Sequence, residues 1–561
     1  MTLSSTTLPH VLSTLARTWT LELVGKPSVT SSPDEAAFGP WLASRLRSLA
    51  YFADRPDDVW LERTKDDARE RFVVFALVRG RGERTVLLTG HYDVVGVENY
   101  GPLADDAGRP ERLAPRLVED LRARGSSAAD RLAFTDLASG EFLPGRGLLD
   151  MKGGLGAGLA VLEAFSRHED REGNLLFVAV PDEEDASHGM RTAAPLLPTI
   201  SARHDLDFVG AVNLDAETDL GSGALGRSVF LGSVGKLLPS VLLVGRPTHA
   251  GTPFDGLSAS LMASELVRLV ENNPDFADPG LPGEPGTPPV LLQLADSKDR
   301  YDVTTPDTVW CAFNILTRQW GVTDVLRAFT DGARQALRCA LDVTRERAER
   351  HARFAATPPA TFDHAPRVLT YAELRALVDR AGKGADLDAL AVRLAGDSSL
   401  DTPRVSRLLT EAAVRLADVR GPAAVVTFAS LYYPAALLGD APKALRLRRA
   451  VEKVTARLAH ETGESLTVRN FFTGVSDMSF LAGRPDAEDV SAVNANSPAY
   501  GSRLTFDYDR LAECALPSVN AGPWGRDYHQ RTERAHVRYA FETLPALLAA
   551  LCEEMLTGEP S

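Results

Sequence analysis

The sequence contains few cysteines, only four in 561 residues. They are Cys311, Cys339, Cys514 and Cys552, which lie far apart and show no paired spacing. A disulfide framework or a zinc site made of thiolates would need repeated, closely spaced cysteine pairs, so neither is indicated. Widely separated thiols of this kind are typical of the reduced interior of a cytosolic protein.

An excess of positive charge and long apolar runs are also missing. Lysine and arginine number 61 against 76 aspartate and glutamate residues, and the formal net charge at pH 7 is −15. Nucleic acids and anionic membranes bind basic surfaces, so the composition argues against both as partners. No apolar run approaches the roughly 18 residues of a membrane span, and the N-terminus lacks a basic-then-apolar signal pattern. We therefore predict a cytoplasmic protein without a membrane partner.

Histidine and carboxylate residues follow several short apolar runs. These groups are His91-Tyr92-Asp93 after residues 85–90, Asp150 after 147–149, Glu183-Glu184 after 174–180, and Asp215 after 208–214. Buried apolar runs of this kind predict strands that are covered on both faces. An open α/β sheet gathers its chemistry beyond the carboxyl ends of its strands. We therefore expect these side chains to meet at one edge of such a sheet.

Imidazole and carboxylate groups that meet in this way are ligands for divalent cations. A site for two metals needs a carboxylate that bridges them and further ligands on each, with the metals about 3.5–4 Å apart. Asp150 suits the bridge, while His91 is expected on one metal and Glu184 on the other. Asp215 would complete one metal, although the nearby Glu217 stays open as an alternative. The ligand still missing should be a distant histidine, because imidazole is a common zinc donor.

Two further acidic residues are predicted to act beside the metals. Adjacent side chains at the exit of a strand point apart, so Glu183 is free to act on a water molecule when Glu184 binds metal. Asp93 is expected to orient the His91 ring, because metal-binding histidines usually hydrogen-bond to a carboxylate or carbonyl through their other nitrogen.

The middle of the chain predicts a second domain. Its pattern has the order β-α-β-β-α-β, with strands at 241–244, 290–294, 309–316 and 423–433 and helices at 258–272 and 322–353. Several helical segments at 366–420 precede its last strand. We therefore assign residues 1–226 and 439–561 to an α/β domain that carries the site. Residues 227–438 form the second, α+β domain, with a helical insert at 352–420.

These motifs together resemble the co-catalytic zinc peptidases, a family that includes aminoacylase, carboxypeptidase G and succinyl-diaminopimelate desuccinylase. The blocks are His91-x-Asp93, Gly147-x-x-Asp150-x-Lys152-Gly153-Gly154, Asp182-Glu183-Glu184, Gly245-x-x-x-His249-Ala250-Gly251-x-Pro253-x-x-Gly256, and His529 followed by Thr532-Glu533. Within the family the sequence is most similar to the larger arginine-utilisation proteins of the RocB type. That likeness is carried by Ser476-Asp477-Met478-Ser479 and Tyr528-His529-Gln530-Arg531-Thr532-Glu533-Arg534.

The resemblance implies a fold and a set of metal ligands. The implied fold class is α/β, a phosphorylase/hydrolase-like zinc-peptidase catalytic domain with an inserted α+β lid domain. One metal would take His91, Asp150 and Asp215, and the other would take Asp150, Glu184 and His529. The implied cofactors are two divalent ions, expected to be Zn²⁺, with Co²⁺ or Mn²⁺ as alternatives.

The resemblance also implies roles outside the metal ligands. Glu183 would act as the general base and then as the general acid. His249 in the lid domain would stabilise the tetrahedral oxyanion; in dimeric relatives this residue reaches across from the partner subunit. A homodimer through the lid domain is therefore one alternative. The other is that the insert at 366–420, which compact relatives lack, covers the lid surface used for dimerisation. Arg318 or Asn314, on the third strand of the lid, would bind a substrate carboxylate. His536 competes with the late metal-binding histidine, but it lies within a helical pattern.

The leading hypothesis is a metal-dependent hydrolase of peptide or N-acyl amide bonds, an amino- or dipeptidase in the catabolism of arginine or other amino acids. Its substrate would be a small peptide or an N-acyl amino acid. Aspartate at position 215 resembles the aminopeptidase branch of the family more than the carboxypeptidase branch. A deacylase or carboxypeptidase is one alternative, and a non-catalytic binder of peptides or amino acids is another. A binder would be expected to have lost Glu183 or a ligand, and none is lost here.

Overall fold

A computed structural model describes residues 7–219, 227–298, 300–356, 358 and 365–558 of the protein. The predicted domain boundary at residue 226, and residues 357 and 359–364 of the predicted insert, lie outside this description. The described helices are α1 (Thr7–Gly25), α2 (Pro33–Arg47), α3 (Ala50–Ala53), α4 (Pro110–Arg124), α5 (Ala128–Ser139), α6 (Gly153–Ser166), α7 (His188–Ala193), α8 (Leu197–His204), α9 (Ala259–Val270), α10 (Val322–Ala355), α11 (Tyr371–Arg380), α12 (Gly384–Ala395), α13 (Thr402–Leu416), α14 (Pro442–Thr462), α15 (Met478–Leu481), α16 (Ala487–Asn496), α17 (Tyr508–Cys514) and α18 (Leu544–Thr557). None of these described helices combines the length and the apolar character needed to cross a membrane.

The described strands are short, and many are buried along their whole length. They are β1 (Val59–Arg63), β2 (Phe72–Val78), β3 (Arg81–His91), β4 (Phe142–Pro144), β5 (Glu172–Val180), β6 (Asp207–Asn213), β7 (Glu217–Thr218), β8 (Arg227–Phe230), β9 (Gly232–Ser233), β10 (Gly235–Leu237), β11 (Pro239–Val244), β12 (Val290–Asp296), β13 (Thr308–Thr317), β14 (Arg367–Thr370), β15 (Ala423–Phe428), β16 (Ala436–Leu437), β17 (Leu466–Arg469), β18 (Ser518–Asn520), β19 (Trp524–Arg526) and β20 (Arg534–His536).

The chain folds into two units. Unit 1 comprises Met1–Ser233, Ala436–Gly483 and Arg510–Ser561, and unit 2 comprises Val234–Ala435 and Arg484–Asp509. Residues 484–509, which the sequence analysis assigned to the first domain, therefore cluster with unit 2. Helix α16 packs against α10, α11 and β15, and two of its side chains bond to backbone groups there. Asp489 Oδ1 accepts a hydrogen bond from the backbone N–H of Thr323 at 3.2 Å, and Asn496 Oδ1 accepts one from Ala372 at 3.0 Å.

Unit 1 is built on an eight-stranded sheet with the order β1-β2-β5-β3-β6-β18-β8-β17. Its central strands β5, β3, β6 and β18 are parallel neighbours, whereas β1 and β2 are antiparallel at one edge. The helices α6 and α18 pack against β3 and β5. Because the central strands are covered, they read as continuous apolar runs rather than as alternating patterns. The predicted mixed α/β class is confirmed at this level.

The sequence analysis was wrong about the segment that leads into Asp150. Residues Leu148–Lys152 form a tight turn between β4 and α6, so no strand runs directly into the aspartate. The chain enters this turn through Gly147, whose φ of +74° favours glycine. The Lys152 N–H then closes the turn on the Gly147 carbonyl at 2.8 Å. A run of three apolar residues is too short to distinguish a strand from a buried turn.

Unit 2 contains a second sheet, in which β13 pairs with β12, β10 and β11, and β15 lies between β11 and β14. The elements follow one another as β11-α9-β12-β13-α10, then β14 with α11 to α13, and finally β15. The predicted helical segments at 366–420 correspond to α11, α12 and α13. Strand β12 lies at an edge of the described sheet, and its apolar side chains alternate between half-buried and exposed.

Candidate metal centre

The parallel strands of unit 1 bring three of the predicted site segments to one edge of the sheet. His91 is the last residue of β3 and pairs in register with Val180, the last residue of β5. Glu183 follows β5 after a two-residue turn, and Asp215 follows β6 after one intervening residue. Parallel strands end at the same edge of a sheet, and each of these residues ends its own strand or follows it within a few residues. Their side chains therefore lie close together.

The predicted ligands form a cluster of five residues, His91, Asp150, Glu184, Asp215 and His529, which we call the five-residue cluster. His91 Nε2 lies 3.2 Å from Asp150 Oδ1 and 3.9 Å from Asp215 Oδ1. His529 Nε2 lies 3.1 Å from Asp150 Oδ2 and 3.0 Å from Glu184 Oε1. The two carboxylate oxygens of Asp150 therefore face two different histidines. Ligand atoms of His91, Asp150 and Glu184 also lie within 4.8 Å of one another, close enough to share a cation.

The electrostatics of the five-residue cluster favour a bound cation. Burial raises the pKa of Glu184, and burial with the charge of Asp150 raises the pKa of Asp215 to about 7. Burial would lower the pKa of His529, but its hydrogen bonds to Asp150 and Glu184 raise it to about 10. Crowded, buried carboxylates are costly unless positive charge compensates them. Nitrogen and oxygen donors with excess negative charge therefore fit divalent metals of the zinc type.

Asp93 supports this arrangement differently from the prediction. The His91 Nδ1–H group donates to the backbone carbonyl of Asp93 at 3.0 Å, whereas the carboxylate lies 3.6 Å away. This contact leaves His91 Nε2 directed at Asp150. The carboxylate of Asp93 instead accepts the backbone N–H groups of Glu183 at 3.1 Å and Glu184 at 3.2 Å. Asp93 therefore holds the His91 ring through its carbonyl. Through its carboxylate it holds the turn of Asp182, Glu183 and Glu184, which we call the acidic turn.

Glu183 is a carboxylate next to the five-residue cluster, with 12% of its side chain exposed. Its Oε2 lies 3.8 Å from His91 Nε2. Burial, with the charges of Asp215 and Glu184, raises its pKa well above the usual value, against the opposing effect of His91. A raised pKa suits a carboxylate that has to accept and return a proton near neutral pH.

The structure distinguishes His529 from His536, and Asp215 from Glu217, as candidate ligands. His529 reaches the five-residue cluster, whereas the His536 ring packs against Phe142 and Trp524 and accepts the Tyr539 N–H at 3.2 Å. The alternative acidic ligand, Glu217, has its carboxylate engaged by the Ser228 N–H at 2.7 Å.

The sequence analysis did not include two residues that affect Asp215, one of the five-residue cluster. Asn520, at the end of β18, accepts the Asp215 N–H at 3.2 Å and donates to the Asp215 carbonyl at 2.9 Å. Asp477 precedes α15, and burial raises its pKa to about 8, assisted by the charges of Asp93 and Asp215. The sequence analysis used Ser476-Asp477 only as part of the motif that resembles RocB-type proteins. The polar residue after a short apolar strand was the available signal for Asn520.

A buried ionic network lies behind the acidic turn. Arg71 contacts Glu35 at 3.0 Å and Asp67 at 2.7 Å, and it also pairs with Asp182. His188 contacts the same Asp182 at 2.5 Å. The carboxylate of Asp182 is therefore bound within this network. These contacts fix the position of Asp182, which directly precedes Glu183.

Glu35 should make the stability of the protein depend on pH. Burial and the charge of Asp93 raise its pKa to about 8 from the ordinary 4.5 of a glutamate, so the folded chain holds a proton that the unfolded chain releases. The stabilisation is complete below about pH 4.5 and is lost as the pH rises towards about 8. In Glu35→Gln, the fall in unfolding free energy between pH 6 and 9 should be smaller by about 2–3 kcal/mol.

Urea unfolding at several pH values measures this difference. Asp34→Asn, one residue earlier and exposed, is the matched control and should retain the slope of the unmodified protein. Parallel stability curves for the unmodified protein and Glu35→Gln would contradict the expectation.

Three predicted residues belong to unit 2 and are described within it. His249 is exposed, and its ring Nδ1 accepts the Gly251 N–H at 3.0 Å. Asn314 lies on β13 opposite Val290 of β12. Arg318 follows the same strand, and its backbone N–H donates to Asp278 at 2.8 Å. Their roles towards a substrate stay predictions.

The fold and the five-residue cluster define a class, that of metal-dependent hydrolases, and the comparison with known families specifies it. The sequence pattern of peptidase family M20/M25/M40 matches residues 129–515. The chain belongs to this family. The predictions of the family and of a metal-dependent hydrolase of peptide or N-acyl amide bonds are confirmed.

Individual relatives extend over nearly the whole chain. The uncharacterized protein YqjN of Bacillus subtilis (strain 168) is 32% identical over 544 residues, which are 96% of each chain. Protein RocB of the same organism is 27% identical over 534 residues, 94% of this chain and 93% of RocB. A solved M20 family metallo-carboxypeptidase, Sso-CP2 from Sulfolobus solfataricus, has a similar fold. Its TM-score is 0.50 at 10% identity, with 96% of this chain and 98% of that chain covered.

Proposed function

We propose that the protein is a dinuclear zinc amino- or dipeptidase that acts on small peptides. One metal would be held by His91, Asp150 and Asp215, and the other by Asp150, Glu184 and His529. The observation that carries the proposal is the position of Asp150, whose two oxygens lie 3.2 Å from His91 Nε2 and 3.1 Å from His529 Nε2. A carboxylate flanked in this way suits the bridge of a two-metal site.

Glu183 is the proposed proton carrier. When bound, two divalent cations would polarise the scissile carbonyl and make a water molecule acidic enough to react near neutral pH. Glu183 takes a proton from that attacking water and passes it to the leaving amine. Its burial supports this role, because a carboxylate shielded from solvent exchanges its proton with the substrate rather than with bulk water. His249 would stabilise the oxyanion, and Arg318 or Asn314 would bind a substrate carboxylate.

Aspartate at position 215 and the family membership support a peptidase that acts on a free amino terminus, in amino-acid catabolism. The test is a panel of dipeptides, including arginine-containing ones, against N-acetyl and N-succinyl amino acids. The metal-free protein would be reconstituted with zinc, cobalt or manganese. We expect metal-dependent cleavage of dipeptides only. Cleavage of the N-acyl compounds alone would support a deacylase, and no cleavage with any metal would contradict an enzyme. The cytoplasmic location stays a prediction.

We also propose a homodimer formed through unit 2. Strand β12 pairs with β13 on one side, and its side chains Val290, Leu292 and Leu294 are 39%, 62% and 54% exposed. An apolar strand at a sheet edge is a ready surface for pairing with a second copy.

The double variant Leu292→Lys and Leu294→Lys should therefore be a monomer, because two added charges per chain would face each other across the interface. Light scattering after size-exclusion chromatography measures the mass. Leu132→Lys, which changes an exposed leucine of unit 1, should leave the dimer intact. An unmodified protein with the mass of one chain would contradict the proposal.

A further inference from the structure

Arg146 and Glu533 form a buried ion pair beside the five-residue cluster. Their side chains are 3% and 0% exposed, and the guanidinium donates directly to the carboxylate. Neither residue is a proposed ligand or proton carrier. A buried ion pair adds little net stability, because removing two charges from water costs about as much as their attraction returns. The contacts that the pair makes to other groups therefore indicate its role.

The Glu533 side of the pair holds the turn that carries Asp150. Glu533 Oε1 accepts the backbone N–H of Leu149 at 3.2 Å and that of Asp150 at 3.4 Å. These two N–H groups belong to the tight turn at the start of α6. The same carboxylate that pairs with Arg146 thus fixes the backbone from which the Asp150 side chain projects.

The Arg146 side of the pair holds the backbone of His529. One guanidinium nitrogen, Nη2, donates to the His529 carbonyl at 3.2 Å and to Asn99 Oδ1 at 3.2 Å. Asn99 Nδ2 donates to the same carbonyl at 2.9 Å. His529 has a φ of +63°, a left-handed conformation that is uncommon for residues other than glycine. The two donors to its carbonyl hold the backbone at this point.

The other half of the cluster has anchors of its own. His91 is fixed by β3 and by the carbonyl of Asp93, and Asp215 is fixed by Asn520. None of these contacts involves Arg146 or Glu533. Loss of the ion pair should therefore loosen Asp150 relative to His529 and leave His91 and Asp215 in place.

We infer that Arg146 and Glu533 are positioning residues that set the affinity of one metal position, the one formed by Asp150, Glu184 and His529. This inference rests on the proposed two-metal site. It predicts an asymmetric effect: Asp150 serves both metals but His529 serves only the second, so the second metal is weakened more than the first. A general structural role would predict loss of both metals, or of neither.

The test is zinc binding by Arg146→Lys and Glu533→Gln. Lysine keeps the charge but lacks the fork that reaches Glu533 and the His529 carbonyl together. Glutamine keeps an acceptor for the turn but removes the charge. Titration with zinc at buffered free concentrations should show the second site weakened about 10- to 100-fold, as for other residues that orient metal ligands. The first site, which keeps His91 and Asp215, should be weakened clearly less. Activity should fall at limiting zinc and recover with excess zinc.

Two further variants make the result decisive. Arg407→Lys alters a buried arginine of unit 2 that pairs with Glu411, and it should change neither zinc site. Asn99→Ala removes one donor to the His529 carbonyl and one acceptor of Arg146, but it keeps both members of the ion pair. It should weaken the second zinc site by a smaller factor, and it tests the inference even if the other variants fold poorly.

Each outcome bears on a separate claim. Wild-type affinity at both sites, or equal weakening of both, in folded variants would overturn the inference. If the unmodified protein binds two zinc ions but hydrolyses nothing, the proposed function fails and this zinc test still decides the inference.

Discussion

Glu183→Gln should lower kcat by about 10²–10⁴-fold while two metal ions stay bound, because the amide cannot accept the proton that the reaction must move. The carboxylate lies 3.8 Å from His91 Nε2, next to the five-residue cluster, but it is not one of the proposed ligands. The measurement is steady-state hydrolysis of the best dipeptide, with metal content determined on the same sample. A fall in kcat without a change in metal content separates proton transfer from metal binding.

Glu172→Gln is the matched control, since it makes the same chemical change at an exposed residue at the start of β5. It should keep wild-type activity. Full activity in Glu183→Gln would remove Glu183 as the proton carrier. A non-catalytic binder would show a different pattern, with ligand binding in both proteins and turnover in neither.

Asp150→Ala should abolish binding of both metals and reduce hydrolysis by at least about 10³-fold. A bridging ligand serves both ions, so its removal affects two sites at once. The metals are expected to contribute several kcal/mol of charge stabilisation to the transition state, and about 4 kcal/mol corresponds to a factor near 10³. The measurement is metal content after dialysis against zinc, together with the rate on the same dipeptide.

The exposed Asp57→Ala provides the control and should retain both metals and activity. Retention of one metal in Asp150→Ala would mean that the carboxylate is a terminal ligand. Retention of both metals would contradict its place in the centre altogether. Because the variant also leaves His91 and His529 without their shared partner, its fold should be checked by circular dichroism.

The sequence predicted those site residues that lie close beside an apolar strand in the chain. Continuous apolar runs identify β3, β5 and β6, and parallel strands necessarily place His91, Glu183 and Asp215 at one edge. Asp150 was assigned to the correct neighbourhood for the wrong structural reason, since a turn rather than a strand carries it. A three-residue apolar run does not contain enough periodicity to decide between the two.

The supporting residues were beyond the reach of the sequence, because their partners are distant in the chain. Glu533 accepts the N–H of a residue 383 positions earlier, and no local pattern records such a contact. Asp93 was predicted to orient His91. That its carbonyl binds His91 while its carboxylate binds the Glu183 N–H depends on backbone geometry, which the sequence does not record. The assignment of residues 484–509 likewise depended on two helix-capping contacts made by α16.

A crystal structure of the zinc-reconstituted protein, with anomalous scattering recorded at the zinc edge, tests the central claim most directly. The two-metal account predicts two anomalous peaks about 3.5–4 Å apart, with the Asp150 carboxylate between them. His91 and Asp215 should contact one peak, and Glu184 and His529 the other. A single peak, or zinc bound away from Asp150, would contradict it.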